Sequence, residues 1–202
     1  MRHLRLATVN LQSLGNRLQS LLVLLATNSI DIACIQEARV SARSFPSIQG
    51  ACKSKGYTAY LSEPHLDDEG RVTGGCLTLS KWPMYQLLPP DHDLNYRVLL
   101  TAVALPGQEQ FILANWHGQS GNQQATDDLG MAILDRAKAL GRPLALIGDF
   151  NLVPTQGFTA RATTAGWLRR GDPWGGNLGS LTGVPDGRDH RARLTPCGST
   201  SP

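Results

Sequence analysis

An acid and an amide stand two residues apart in Gly148-Asp149-Phe150-Asn151, directly after the apolar run Leu144-Ala145-Leu146-Ile147. A carboxylate accepts hydrogen bonds or takes a proton, and an amide both donates and accepts, so the pair could hold a water or a phosphate group. The same four residues also read as a turn, since Gly, Asp and Asn are turn formers. Asn10, Glu37 and His117 change the balance, because each also follows a strand-like run. Singly, each has a plainer reading. Asn10 reads as a turn residue, Glu37 as a surface acid paired with Arg39, and His117 as a structural imidazole between Trp116 and Gly118. Five such groups at the C-terminal ends of strands would converge on one rim of a sheet. There an imidazole could give or take a proton near neutral pH.

The elements that must position these groups can be read from the apolar periodicity. Residues 4–10 read as a first strand, and Asn16 as the cap of a helix whose Leu18, Leu21, Leu22 and Leu25 repeat at helical spacing. Residues 30–36 read as a second strand, so the chain opens strand–helix–strand, the pattern of a parallel crossover. Residues 39–56 read as loop with room for a short helix, followed by strands at 57–61 and 74–80 around the acidic turn Asp67-Asp68-Glu69-Gly70. Residues 98–105 and 111–115 flank Pro106-Gly107-Gln108 as a hairpin. A helix is predicted from Thr126 to about Leu140, with Gly141 as its cap and Pro143 beyond. Residues 144–147 then read as a strand buried on both faces, bounded by Pro143 and Gly148. After Asn151 the pattern weakens to one helix within 155–166 and a loop rich in Gly, Pro, Asn and Asp at 171–187. Parallel and hairpin connections together predict a layered α/β sandwich with mixed sheets.

The chain has 202 residues, enough for one domain with a substantial core, here expected over 1–194 with an irregular tail at 195–202. A net charge of +3 with no dense Lys/Arg block permits a polyanionic partner without requiring one. Cys34, Cys52, Cys76 and Cys197 form no Cys-x-x-Cys pair, which argues against zinc-ribbon and redox motifs and favours a reducing compartment. The longest apolar run, 21–26, is far too short to span a bilayer, and Met1-Arg2-His3 does not begin a signal peptide. The expectation is a soluble intracellular protein, the nucleus included, monomeric by default and without a membrane partner.

The order and spacing of the motifs resemble the endonuclease/exonuclease/phosphatase superfamily. It includes deoxyribonuclease I, apurinic/apyrimidinic endonucleases and the endonuclease domains of non-LTR retrotransposons. Thr8-Val9-Asn10 resembles the opening strand with its asparagine, and Ile35-Gln36-Glu37 the motif whose glutamate binds Mg²⁺. Gly74-Gly75-Cys76-Leu77 resembles a glycine-led central strand, and Leu113-Ala114-Asn115-Trp116-His117 the strand that delivers a tyrosine or a histidine. Gly148-Asp149-Phe150-Asn151 matches the signature Gly-Asp-Phe-Asn. The resemblance implies a four-layer α/β sandwich and hydrolysis of phosphodiesters, most closely by a retroelement-type endonuclease acting on DNA. It assigns Mg²⁺ (Mn²⁺ as an alternative) to Glu37, and phosphate or water contacts to Asn10 and Asn151. Asp149 would orient or deprotonate the attacking water, and His117 would bind the phosphate or protonate the leaving oxygen.

The departures from the pattern carry expectations of their own. Where two branches read Tyr-x-Pro-Asn, this chain has His117-Gly118-Gln119-Ser120, with Asn122 nearby. The family closes with Ser-Asp-His, and here only Arg188-Asp189-His190 is available, at a spacing that better suits an earlier Arg-x-Asp element. Asp189 and His190 are therefore catalytic candidates, and equally the residues of a solvated charged turn. The sequence predicts that the closing strand and its histidine are missing, and a lost general acid/base typically costs about 10²–10⁴-fold in rate. Two further readings stay open: the same fold acting on a phospholipid or inositol phosphate, and a non-catalytic remnant.

Overall fold

The computed structural model describes residues 4–152 and 157–164. β1 (Leu6–Asn10) and β2 (Ile32–Gln36) pair in parallel, joined by the crossover helix α1 (Leu18–Thr27), as the strand–helix–strand pattern predicts. The chain continues through α2 (Phe45–Lys53), β3 (Thr58–Leu61), a small hairpin of β4 (His65–Leu66) and β5 (Val72–Thr73), and β6 (Leu77–Ser80). It then forms β7 (Met84–Gln86), β8 (Val98–Val103), β9 (Phe111–His117), α3 (Gln123–Ala139), β10 (Leu144–Asp149) and α4 (Gly157–Thr164). One mixed sheet has the order β1-β2-β6-β3 and the other β10-β9-β8-β7.

Strand alternation explains how these sheets stack. On β2, Ala33 and Ile35 face the α1 leucines 21, 22 and 25, together with Cys52 of α2. The intervening Ile32 and Cys34 face the second sheet, where they meet Val103 and Leu113. On β9, Ile112, Ala114 and Trp116 face Leu129 and Ile133 of α3 and Phe158 of α4. Both strands are buried on two faces, which is why they read as nearly continuous apolar runs. The result is four layers, α–β–β–α, with three apolar cores. Burying a large side chain such as Leu22 or Ile133 contributes about 1.5–3 kcal/mol.

The same alternation selects which polar residues reach the central interface. Thr8 and Asn10 share a face of β1 with Leu6, and Gln36 shares one of β2 with Ile32 and Cys34. Asn115 and His117 share a face of β9 with Leu113, and Asp149 one of β10 with Ala145 and Ile147. All of these faces point at the opposite sheet, and β1 packs against β10.

Several local expectations are corrected. Asn16 does not cap α1; it lies in a 3-10 turn, Gly15–Arg17, that runs straight into the helix with no side-chain cap. Asn122, not Thr126, caps α3, its Oδ1 accepting from the Ala125 N–H at 3.0 Å, and it plays no part in the rim of polar groups. β10 is half-buried throughout instead of buried on both faces, because among the described residues it lies at the edge of its sheet. β7 and the β4–β5 hairpin were not legible, being too short for a period-2 pattern. Asp189, His190, Cys197, the loop at 171–187, the tail and the expected loss of a closing strand lie outside the described residues.

Candidate active site

The five groups read from the sequence meet on one rim. β1 and β10 come from different sheets and end side by side, and Asn10 spans the gap between them. Its Nδ2 donates to Glu37 Oε1 at 3.0 Å and to Asp149 Oδ2 at 3.2 Å. Both neighbours are carboxylates that only accept, so the amide orientation follows from chemistry. Asn10 Oδ1 accepts from the Gln12 N–H at 3.1 Å. The side chain is thus held at three points, with both carboxylates drawn to one amide.

Glu37 reaches this position by a break in the strand. In a continued β2 it would fall on the α1 side with Ala33 and Ile35. Instead its φ of 50° turns the backbone left-handed and redirects the carboxylate to Asn10. The loop is fixed from behind, where Ala38 N–H donates to Gly75 O at 3.0 Å and Arg39 N–H to Gly74 O at 2.8 Å. Arg39 Nη2 pairs with Glu37 Oε2 at 3.0 Å, as the surface-pair reading anticipated, but the other carboxylate oxygen faces the rim. Partial burial raises the Glu37 pKa, and the hydrogen bonds from Asn10 and Arg39 and the nearby positive charge outweigh it. The net direction is downward, towards a carboxylate that stays ionised.

His117 ends β9 in register with Asp149 on β10. Its Nε2 lies 3.6 Å from Glu37 Oε1, and its Nδ1 lies 3.3 Å from Arg97 Nη1. A guanidinium cannot accept, so Nδ1 is the unprotonated nitrogen and Nε2 carries the hydrogen towards Glu37. Burial and the Arg97 charge push the His117 pKa down against the opposing pull of Glu37 and Asp149. The Glu37 contact is therefore a neutral N–H aimed at a carboxylate, longer than a hydrogen bond, and not an ion pair.

The Gly148-to-Asn151 segment is built by packing. A Cβ on Gly148, whose φ is 154°, would overlap the Trp116 carbonyl oxygen, so only glycine lets β10 lie this close to β9. Phe150 anchors the turn against Trp116, with ring centroids 5.0 Å apart. Asn151 leaves the strand with φ 49° and does not continue the extended backbone. Its N–H donates to Asp149 Oδ1 at 3.3 Å, and its Nδ2 donates to Gly118 O at 2.9 Å. That leaves one amide hydrogen and Oδ1 available at an exposed position.

Two contributors were not anticipated. Arg97, at the head of β8, donates to Gly118 O at 3.2 Å as well as to His117. Nothing local in the sequence marks it, because the contact depends on β8 running antiparallel to β9. Asn115 is fully buried below the rim. It accepts from Gln36 Nε2 at 2.7 Å and donates to Ile35 O, Leu77 O and Thr78 Oγ1 at 3.0–3.2 Å, tying the sheets together. The sequence signal for it is an asparagine inside an otherwise apolar strand.

Four layers with amide, carboxylate and imidazole groups on a rim shared by two sheets define a deoxyribonuclease I-like α/β sandwich. The sequence matches the profile of the Endonuclease/Exonuclease/phosphatase family over residues 7–197, and the chain belongs to that family. Among solved structures it is similar to a 3′ phosphatase from Neisseria bound to a product DNA hairpin. That match has 25% identity and a TM-score of 0.57, and covers 75% of this chain and 59% of that one. It is also similar to an AP endonuclease from Archaeoglobus fulgidus, at 21% identity and a TM-score of 0.54 over 75% of this chain and 58% of that one. The endonuclease domain of a telomere-specific non-LTR retrotransposon aligns at 15% identity and a TM-score of 0.55, covering 81% of this chain and 72% of that one. The chain spans less than two thirds of the length of the first two. No curated protein matches it.

Proposed function

We propose that this chain is a divalent-metal-dependent phosphodiester hydrolase acting on DNA. The observation that carries the reading is the Asn10 amide bridging Glu37 and Asp149 beside the Nε2–H of His117. The donor set suits Mg²⁺, or Mn²⁺ in its place: Glu37 offers an ionised carboxylate oxygen, and among the described residues no thiol lies on the rim. Among the described residues no cluster of three acidic, His or Cys side chains surrounds a point. Mg²⁺ is commonly held by one or two carboxylates plus water and substrate phosphate, so the Glu37 carboxylate could serve as its anchor. When bound, the ion would polarise a phosphate oxygen and offset the charge that develops on it.

The remaining roles belong to the chain's own residues. Asn10 holds the two carboxylates in fixed relation. Asp149, oriented by Asn10 and by the Asn151 N–H, draws off the proton of the attacking water as its oxygen bonds to phosphorus, and the P–O bond on the far side breaks, the leaving oxygen taking a proton from solvent. His117 donates its Nε2–H to a non-bridging phosphate oxygen, a task for the neutral imidazole. Asn151 offers its remaining amide hydrogen to the same phosphate. The DNA-bound Neisseria phosphatase and the AP endonuclease support nucleic acid as the substrate class.

The test is nicking of supercoiled plasmid with Mg²⁺, comparing the wild type with Glu37→Gln and Asp149→Asn. Each substitution is expected to reduce the rate by about 10²-fold or more. Equal, background-level nicking by all three proteins would leave a non-catalytic remnant. Turnover of inositol phosphates or phospholipids without nicking would move the substrate away from DNA.

A further inference from the structure

One pair of rings outside the rim has no part in the chemistry above. His65 on β4 stacks on Tyr96, with centroids 4.1 Å apart and planes inclined by 12°. A two-stranded hairpin of two residues per strand cannot hold its own shape. This one is held at its base by the stack and at its tip by Arg71, which pairs with Asp67 and Glu69 at 2.8 Å each. Tyr96 is fixed in turn. Its carbonyl accepts from Ser62 Oγ at 2.9 Å, Gly74 lies against its ring, and its hydroxyl accepts from Arg97 Nε at 3.2 Å. Arg97 sits over the Tyr96 ring, 5.4 Å from its centroid, and also reaches His117 and Gly118. Gly74 and Gly75, which follow β5, hydrogen-bond the loop that carries Glu37. The stack is therefore mounted on the same two segments that place Glu37 and His117.

We propose that His65, backed by Tyr96, is a stacking platform for an unpaired nucleobase that flanks the phosphate held at Asn10, Glu37 and Asp149. This rests on the nucleic-acid reading of that site. His65 is exposed while Tyr96 covers one of its faces, so a flat ring with a rigid backing is presented to solvent. Planar π-surfaces of this kind take up bases of any identity, because every base has a π-face. Tyr96 and Arg97 stand between His65 and His117, so the base belongs to a neighbour of the reacting nucleotide. The hairpin tip carries Asp67, Asp68 and Glu69 against the single cation of Arg71, a net negative charge that disfavours phosphate. The strand's backbone accordingly runs on the side of Arg97 and Arg39, and the base points towards the hairpin. A duplex keeps its bases stacked on one another, which makes an unpaired segment the fitting ligand.

The experiment is an abasic scan. Full-length protein, with Ca²⁺ replacing Mg²⁺ to suppress turnover, is titrated with fluorescent single-stranded oligonucleotides in which one base at a time is replaced by an abasic spacer. Removing the base at one position is expected to weaken wild-type binding by about ten-fold, within the range of a single base–aromatic stack. His65→Ala should weaken binding of the intact oligonucleotide by a similar factor and abolish the penalty at that position only, the signature of direct coupling. His65→Trp should retain the positional penalty. A uniform scan, or a penalty that persists in His65→Ala, overturns the proposal, and so does absence of binding. Hydrolysis of bis(p-nitrophenyl) phosphate, which has no base, is followed in parallel. Unchanged hydrolysis in His65→Ala alongside a flat scan refutes the platform and leaves the phosphoesterase reading intact; no hydrolysis by any protein refutes that reading separately.

Discussion

Replacing Asn115 with leucine should destabilise the sandwich far more than its single side chain implies. The amide is fully buried and makes four hydrogen bonds to the first sheet from a strand of the second. Leucine has the same number of side-chain heavy atoms branching at the same Cγ and leaves no cavity, so the cost falls on the groups left behind and on fitting its bulkier methyl groups. Ile35 O and Leu77 O each lose a donor, and Gln36 Nε2 keeps only the Cys34 carbonyl, at 3.3 Å. The Thr78 hydroxyl can turn elsewhere. Ile35 and Leu77 keep their pairing in the β2–β6 ladder, so the loss is that of four made hydrogen bonds at about 0.5–1.5 kcal/mol each, or about 2–6 kcal/mol. That is a large share of the ~5–15 kcal/mol that holds a typical domain folded. With a urea m-value of about 2–3 kcal/mol/M for a chain this long, the unfolding midpoint should fall by about 1–2 M at unchanged m. Urea titrations followed by tryptophan fluorescence and circular dichroism measure it. A midpoint within about 0.3 M of the wild type would show that the four bonds add nothing net, and that the sheets are aligned by apolar packing alone.

Other perturbations test separate links. Gly148→Ala places a methyl group on the Trp116 carbonyl at a φ that favours glycine. It should cost about 2 kcal/mol or more and lower the thermal midpoint by at least about 4 °C; an unchanged midpoint would refute the close approach. Because the folded Glu37 pKa lies below its ordinary value, its contribution to stability is present above that value and lost as pH falls through the folded pKa. The stability gap between wild type and Glu37→Gln should therefore shrink on acidification from about pH 7 to about pH 3, and a constant gap contradicts it. Imidazole NMR on the metal-free protein should find the His117 pKa below the usual histidine value and the Nε2–H tautomer dominant. Arg97→Ala should raise that pKa, and no change would remove Arg97 as a cause.

The rim was legible because strand ends leave simple marks: an apolar run, then a polar residue of chemical interest. Asn10, Glu37, His117, Asp149 and Asn151 all carry that mark, and all five meet. The parallel opening of β1 and β2 and the β8–β9 hairpin were legible for the same reason, since alternation and turn chemistry are local. What escaped depends on approach across the interface. Arg97 matters only because β8 brings it beside His117, and Asn115 only because β2 and β6 lie opposite it. Asn16, read as a cap, caps nothing because the 3-10 turn at Gly15–Arg17 occupies its place, whereas the cap of α3 is Asn122, four residues before the predicted start at Thr126.

The contact between Asn10 and Asp149 joins residues 139 apart in the chain and belonging to different sheets. Neither sheet alone holds a complete constellation: Asn10 and Glu37 come with the first, His117, Asp149 and Asn151 with the second. Their proximity therefore depends on docking the two inner faces, where the apolar contacts of Leu6, Ile32, Cys34, Val103 and Leu113 provide the drive and Asn115 the alignment. Polar residues on an inner face are costly until docking completes their hydrogen bonds, so a misaligned interface leaves them unpaired. The groups that handle phosphate at the rim and the amide that aligns the sheets below it thus lie on the same strand faces. Asn115 and His117, two residues apart on β9, are the clearest instance: one alternation places the first in the interface and the second at its open end.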